Sequence, residues 1–466
     1  MGSFRKNIGR MFWLLFTMFF ALGAYFAWYA SVGGRETITN PFNSRVNMEI
    51  DGRRGTIYDV NGTILAHSIS VEGDGYARQY PFGGVFAHTV GYSGVSRAGL
   101  ELTRNFDLHN INRELLQRLG YVIFDNEIAG NSVHTTLNAE IQQMVHEVIA
   151  ATPSGRGAAV VLDVQTGGVL AMVSLPSFDP NTVAQNWQDI INDGNAPLMN
   201  RATQGLYPPG STFKLVTALA ALGYDESLLD FTMHCEGHHH FGEQVLQCFG
   251  GIAHGYVDFS RAMALSCNGY FAHLATMLPA NYIINAAEQA ALFNTMMPFE
   301  LPSSMPLFAM ESDVGLSELI ETAIGQGRTL ATPLNMAMFA AAIANGGIMH
   351  EPHIVSHITA ANGNRVRNFR PQSVGRVMDE RHAAILAQFM VDAVNFGTAA
   401  LARLHNVQTA GKTGTAQNET GIDHSWFIGF APADDPQVAV AIIIENTGGG
   451  TRATQLAGRI FDLAIE

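Results

Sequence analysis

The stretch Tyr207-Pro208-Pro209-Gly210-Ser211-Thr212-Phe213-Lys214 decides how this chain is read. Two prolines and a glycine stop whatever precedes them. From Ser211 to Leu222 the residues are helix-compatible and almost wholly apolar, with Gly223 placed to cap the end. A helix apolar on every side is a buried one. Ser211 is then expected at its N-terminus, where unpaired N–H groups and the helix dipole favour developing negative charge. Lys214, three residues on, shares the helical face of the hydroxyl. A hydroxyl and an amine held together in a low-dielectric site can serve as nucleophile and base.

An isolated S-x-x-K reads just as well as an N-cap and a snorkelling lysine. Lysine usage separates the two readings. Of the 26 basic residues only Lys6, Lys214 and Lys412 are lysines. Lys6 lies in a basic N-terminal tail, and elsewhere a positive surface charge is supplied by arginine. Arginine cannot be deprotonated in a protein, whereas a buried lysine can. Lys214 and Lys412 are therefore expected to be present for their chemistry.

Working outward, the N-terminus carries Arg5, Lys6 and Arg10 ahead of an uncharged apolar run from Met11 to Val32. That run is long enough to span a bilayer, and its positive flank belongs in the cytoplasm. The alternative, a cleaved signal peptide, fits less well, because the run is long and no A-x-A site follows. The reading is a cytoplasmic tail (1–10), a transmembrane anchor (11–32) and an extracytoplasmic remainder. A net charge of −14 argues against nucleic acid as a partner, and three cysteines do not make a disulfide scaffold.

Past Gly33-Gly34 and the turn-rich Asn40 to Arg45, residues Arg53 to Ala66 read as strand, Asn61-Gly62 turn, strand. Arg54 and Glu101 are expected to pair across this small unit, as architecture and not catalysis. Asn138 to Ala151 reads as a helix, and Pro153-Ser154-Gly155 marks a boundary. Residues 33–154 thus form a small, mostly-β pedestal and 155–466 a second domain. That domain opens on a hairpin, Ala158–Asp163 and Val169–Val173, and continues through helices that include Thr332 to Asn345. It closes with strands at Asn406–Gly411, Ser425–Phe430 and Val438–Glu445 and a helix at Leu456–Ile465. Strands at both ends with helices between imply an α+β domain whose sheet is assembled from its two termini.

Two further stretches complete a constellation. Ser266-Cys267-Asn268 supplies a hydroxyl and an amide. Lys412-Thr413-Gly414-Thr415 lies on a strand, where Gly414 is expected to let a substrate backbone approach. Each is weak alone. In the order S-T-F-K, S-C-N, K-T-G-T they are the signature shared by β-lactamases and penicillin-binding proteins.

The chain as a whole resembles the class B penicillin-binding proteins, membrane-anchored peptidoglycan D,D-transpeptidases. Arg54-Gly55-Thr56-Ile57-Tyr58-Asp59 and Gly99-Leu100-Glu101 resemble that family's pedestal motifs. Gly325-Gln326-Gly327 and Trp426-Phe427-Ile428-Gly429-Phe430 resemble parts of its transpeptidase domain. The resemblance implies an antiparallel sheet flanked by helices, a helical lobe, and a serine acyl-enzyme. Ser211 would be the nucleophile and Lys214 the base, with Lys412 a cation that depresses it. Ser266 would relay a proton and Asn268 hold the substrate amide. Lys412, Thr413, Gly414 and Thr415 would line the binding strand, and the backbone N–H groups of Ser211 and Thr415 would form the oxyanion hole. No cofactor is implied. The implied partners are peptidoglycan stem peptides, β-lactams and a SEDS-type glycosyltransferase in the membrane.

Three alternatives are weighed against this reading. His234, Cys235, His238, His239, His240, Cys248 and His254 look like metal ligands, but their spacing fits no standard zinc pattern and the mechanism needs no metal. Cys235 and Cys248 are read as either a disulfide or two thiols, and Cys267 as a small buried filler. A β-lactamase would need a deacylating glutamate after S-x-N, and Glu300-Leu301-Pro302 does not fit such a loop. A β-lactam sensor would need a sizeable cytoplasmic output ahead of the span.

Overall fold

A computed structural model describes residues 2–28, 53–71, 75–94, 96–109, 129–449 and 451–465. The last residues of the expected span, the Gly33-Gly34 pair and the turn at 40–45 lie outside these. The first helix, Gly2–Trp28, contains the one helix segment among the described residues, Asn7–Phe26, long and apolar enough to cross a membrane. None of that segment is buried against the protein, which fits a single-pass anchor.

The second domain is built on a five-stranded antiparallel sheet. Its order is Ala410–Ala416, His424–Ala431, Val438–Ile444, Gly157–Asp163, Val169–Leu175. The two chain ends of the domain meet in the middle, where Val440 pairs with Val161 and Ile442 with Ala159. This is the two-ended sheet expected from the strand distribution, except that the strand expected at Asn406–Gly411 begins only at Ala410 and runs through the Lys412–Thr415 stretch. Both faces are covered, so its strands read as near-continuous apolar runs. Alternate residues serve different cores. Ala158, Val160 and Leu162 pack with Phe339 and the helical lobe. Ala159 and Val161 pack with Ile141 of helix Ala139–Ala150 and with Leu456 and Phe461 of helix Thr451–Ile465. Asn138 caps the first of those helices by accepting from the Glu140 and Ile141 N–H groups. Thr332 does the same for Pro333–Ala344.

The pedestal sheet reaches across the boundary expected at residue 154. Its six-stranded sheet runs Arg365–Asn368, Val355–Thr359, Ser132–Thr135, Ile57–Tyr58, Ile64–Val71, Gly75–Gln79. The first two strands come from the middle of the second domain. Val355 pairs with Thr135 and Ile358 with Val133, so the two units share one ladder. The expected Arg54–Glu101 pair forms at 2.5 Å, and Arg78 adds a second contact to the same carboxylate at 2.6 Å. Burial alone would raise the Glu101 carboxyl, but the two guanidiniums outweigh it and hold the group below its usual range.

Candidate active site

The nucleophile segment is wound more tightly than expected. Gly210–Phe213 is a 3-10 turn, and the α-helix begins only at Lys214 and runs to Tyr224, past Gly223. Gly210 starts the turn at φ +54°, and a Cβ there would meet the Thr415 carbonyl at 2.4 Å. Only glycine fits. In a 3-10 turn residues i and i+3 eclipse one another. That winding brings Lys214 Nζ to 3.1 Å from Ser211 Oγ.

Helix Asn268–Thr276 and the strand Ala410–Ala416 bring the other groups in. Lys214 Nζ also lies 2.7 Å from the Ser266 carbonyl oxygen, 2.7 Å from Asn268 Oδ1 and 3.2 Å from Ser266 Oγ. Lys412 Nζ lies 2.9 Å from Ser266 Oγ and donates to its neighbour's carbonyl, Thr413 O, at 2.9 Å. Ser266 thus sits between two lysines, in the left-handed conformation at φ +56°. Both lysines are fully buried. Burial pushes Lys214 down to about 8, partly opposed by the sulfurs of Cys267 and Cys248. Burial and the neighbouring Lys214 charge push Lys412 well below the usual lysine range.

The contacts suit both forms of Lys214. The ammonium can donate to the Ser266 carbonyl, Asn268 Oδ1 and Ser211 Oγ. Once the proton is lost, the first two oxygens can hold the remaining N–H groups and the lone pair is left for the Ser211 hydroxyl proton.

Ser211, Ser266, Asn268, Thr413 and Thr415 line a single cleft of about 870 Å³. Ala410–Ala416 is the sheet's edge strand, so half of its backbone groups face away from the neighbouring strand. Thr413 is held by Thr398, with the two hydroxyls 2.6 Å apart. Gly414 packs closely on the side away from the cleft. A Cβ there would meet Trp426 Cβ at 2.9 Å, Pro209 O at 3.0 Å and Thr212 Cγ2 at 3.0 Å. The glycine admits the nucleophile turn against the strand, and the cleft-facing neighbours are Thr413 and Thr415.

Sequence reading missed the support behind the nucleophile. Glu445 accepts from Tyr207 Oη at 2.8 Å, Arg201 Nε at 2.9 Å and Arg156 Nε at 2.8 Å, and Trp426 Nε1 donates to Pro208 O at 3.0 Å. A glutamate closing the apolar run Val438–Ile444 was the available signal. Glu300 accepts backbone N–H groups of Ile354 and Val355 and contacts Arg104, a structural role. Asp423 is the one carboxylate among the described residues lining the cleft.

A family model described as the penicillin binding protein transpeptidase domain matches residues 157–462. This chain belongs to that family. A second model, the penicillin binding protein A dimerisation domain, matches residues 54–133. The chain is 33% identical over 441 residues to a peptidoglycan D,D-transpeptidase PbpA of Mycolicibacterium smegmatis, covering 89% of this chain and 88% of that one. It is 32% identical over 463 residues to the PbpA of Mycobacterium tuberculosis, covering 92% of each. Among solved structures, penicillin-binding protein A from M. tuberculosis as a ceftriaxone acyl-enzyme complex superposes with a TM-score of 0.84 at 30% identity, covering 89% of this chain and 99% of that one. The D,D-transpeptidase domain of a peptidoglycan glycosyltransferase from Eggerthella lenta gives 0.80 at 32%, with the same coverage. The transpeptidase fold and the β-lactam-reactive serine chemistry anticipated from the motifs are thus those of its relatives.

Proposed function

We propose that this penicillin-binding protein cross-links peptidoglycan stem peptides through an acyl-enzyme on Ser211. The observation that carries the reading is the Ser211–Lys214 contact, on a buried lysine whose other contacts are the Ser266 carbonyl, Ser266 Oγ and Asn268 Oδ1. Ser211 Oγ attacks the carbonyl of the penultimate D-alanine while its proton passes to Lys214 Nζ. The backbone N–H groups of Ser211 and Thr415 receive the oxyanion, an interaction of the kind worth about 3–4 kcal/mol per donor. Ser266 Oγ, in contact with both lysines, carries the proton to the leaving D-alanine amine. Asn268 holds the substrate amide. Thr413, Thr415 and Lys412 take the terminal carboxylate, and Gly414 supports their strand. The bound carboxylate restores the proton of Lys412, whose charge then keeps Lys214 neutral. An amine from a second stem peptide takes the acyl group and frees Ser211.

The N-terminus lies in the cytoplasm and the catalytic domain outside the membrane, with residues 1–10, 11–32, 33–154 and 155–466 as tail, anchor, pedestal and transpeptidase domain. Anchor and pedestal meet a SEDS-type glycosyltransferase, which makes the glycan this enzyme cross-links. β-Lactams acylate the same serine. Among the described residues no glutamate lines the cleft and Asp423 is its one carboxylate, so the penicilloyl group should persist far longer than one turnover. Mass spectrometry of the protein after penicillin treatment should find the adduct on Ser211 and find it long-lived. Rapid penicillin hydrolysis, or an adduct elsewhere, overturns the reading.

A further inference from the structure

One wall of the cleft carries an aromatic side chain that the acyl-transfer steps do not use. Phe249 opens the 3-10 turn Phe249–Gly251, just past the strand Gln244–Gln247. The two glycines behind it have no side chains, so the ring stands alone at the tip of the turn. It is 63% exposed and lines the same cleft as Ser211, together with Val245 and Ile252 of the same strip. Neighbouring exposed apolar side chains on a cleft wall mark a surface that another molecule covers. The strip is fixed at its base. Asn268 Nδ2 donates to Gln247 O at 2.8 Å, and the Cys248 N–H donates to Gly237 O at 2.9 Å.

The ring reaches the other wall. A Cβ built on Gly449 would stand 4.0 Å from Phe249 Cζ, an ordinary contact distance. Gly449 belongs to the loop between the strand Val438–Ile444 and the helix Thr451–Ile465. Asp423 O holds that loop to the sheet by accepting the Thr447 and Gly448 N–H groups, both at 3.0 Å. Asp423 and Thr451 line the cleft on this side. Phe249 therefore spans the mouth as a bar between the helical lobe and the sheet. The edge strand fixes where along the cleft it crosses. Thr413, Thr415 and Gln417 line the cleft in turn, and the chain then doubles back to Asp423. In the proposed mechanism the departing D-alanine lies at Thr413 and the acyl carbonyl at Thr415. The bar thus crosses the acyl side, and the leaving-group side stays open.

We propose that Phe249 is a specificity-determining residue that makes the acyl-enzyme on Ser211 react with an amine in preference to water. The inference rests on the acyl-enzyme reading above. Two reactions compete for the ester. In transfer, the amine nitrogen bonds to the acyl carbon, the bond from that carbon to Ser211 Oγ breaks, and one amine proton ends on Oγ. In hydrolysis, water oxygen forms the new bond, the same bond breaks, one water proton ends on Oγ, and a carboxylic acid leaves. Water far outnumbers any acceptor in solution, so an open cleft favours hydrolysis. Closing a site expels water and suppresses that side reaction. The bar swings aside to admit the donor peptide and then packs its ring over it. Burying the exposed ring against the donor favours the closed position. The acceptor enters where the D-alanine has left, at the end the bar does not cover.

The test uses the full chain in detergent, a D-alanyl thioester as donor and a D-amino acid as the acceptor amine. Chromatography separates the hydrolysis and transfer products, and circular dichroism confirms folding. Phe249→Ala should raise the ratio of hydrolysis to transfer several-fold and shorten the life of the penicilloyl adduct. Fluorescent penicillin should label the same variant faster, because no bar has to open. Phe249→Leu keeps apolar bulk without the reach to Gly449 and should fall between Phe249→Ala and the wild type. Tyr256, 80% exposed on the nearby strand Gly255–Val257, does not line the cleft. Tyr256→Ala should keep the wild-type ratio, which separates the bar from a general loosening of the strip. An unchanged ratio in folded Phe249→Ala overturns the proposal, as does an equal rise in Tyr256→Ala. A wild-type chain that yields only hydrolysis overturns the transpeptidase reading itself, and this role of Phe249 with it. Whether the wild type transfers at all tells the two failures apart.

Discussion

At the scale of single residues, the proposed division of work between the two buried lysines follows from what each contacts. Lys214 touches the nucleophile, and Lys412 touches only the relay hydroxyl and its neighbour's carbonyl. Lys214→Arg should reduce fluorescent-penicillin labelling to background, because a guanidinium cannot accept the serine proton and general-base catalysis is worth about 10²–10⁴-fold. Lys412→Arg keeps a cation and should retain measurable labelling. Near-normal labelling of a folded Lys214→Arg protein would remove Lys214 as the base. The pH dependence follows from the same side chain. Burial lowers Lys214 to about 8, and the proposed base is its unprotonated form. Acylation should therefore rise with pH and level off above about 8. A rate that falls between neutrality and that value contradicts a neutral Lys214.

At the scale of elements, the nucleophile turn is clamped against the sheet from two sides. Gly414 gives it room, and Tyr207 and Trp426 hold its entry. Gly414→Ala places a methyl group 2.9–3.0 Å from Trp426, Pro209 and Thr212, and main-chain oxygen cannot retreat cheaply. We expect a folded protein whose acylation rate is strongly reduced, measured by stopped-flow labelling with circular dichroism as the folding control. An unchanged rate would show that the turn tolerates displacement from the strand. Glu445 supports the other side. Glu445→Gln keeps the shape but leaves Arg156 and Arg201 without a countercharge, and breaking a buried pair costs about 3–5 kcal/mol. Tyr207→Phe removes only one hydrogen bond to that carboxylate, a loss of about 1.5–3 kcal/mol. Chemical denaturation should rank the two variants in that order.

At the scale of the whole molecule, the shared sheet makes pedestal and catalytic domain one mechanical object. Removing residues 1–154 would strip Ser132–Thr135 from Val355–Thr359 and expose an edge of the pedestal sheet. It would also take Arg104 from Glu300. A fragment beginning at residue 155 should aggregate more readily and melt at a lower temperature than the chain with its pedestal, by light scattering and calorimetry. Equal solubility and melting temperature would mean that the borrowed strands contribute nothing to the fold. The Arg54–Glu101–Arg78 cluster adds a pH signature to the same unit. The folded Glu101 carboxyl is held below its ordinary value of 4.5, so its stabilisation is present above that pH and is lost as the pH falls through the folded value. Glu101→Gln should remove that part of the acid sensitivity.

The apolar N-terminal helix, the three sequence motifs, the strands of the two-ended sheet and the helices at 139–150 and 333–344 were legible in the sequence because each is a local pattern. They rest on an apolar run, a short spacing or a run of strand-forming or helix-forming residues. Tertiary structure alone decided the rest. The 3-10 winding at Gly210 depends on the Thr415 carbonyl pressed against it. Gly414 serves the nucleophile turn because Pro209 and Thr212 come to it from a different part of the chain. Glu445 meets Arg156 across 289 residues, and the pedestal takes strands from the middle of the catalytic domain. Cys267, read as a filler, joins Cys235, Cys248 and His254 only when helix Asn268–Thr276 packs beside their strands. Residue type fixes what a side chain can do, and local pattern fixes which element carries it. Which distant groups share a low-dielectric site, and so which chemistry is realised, depends on how the elements pack.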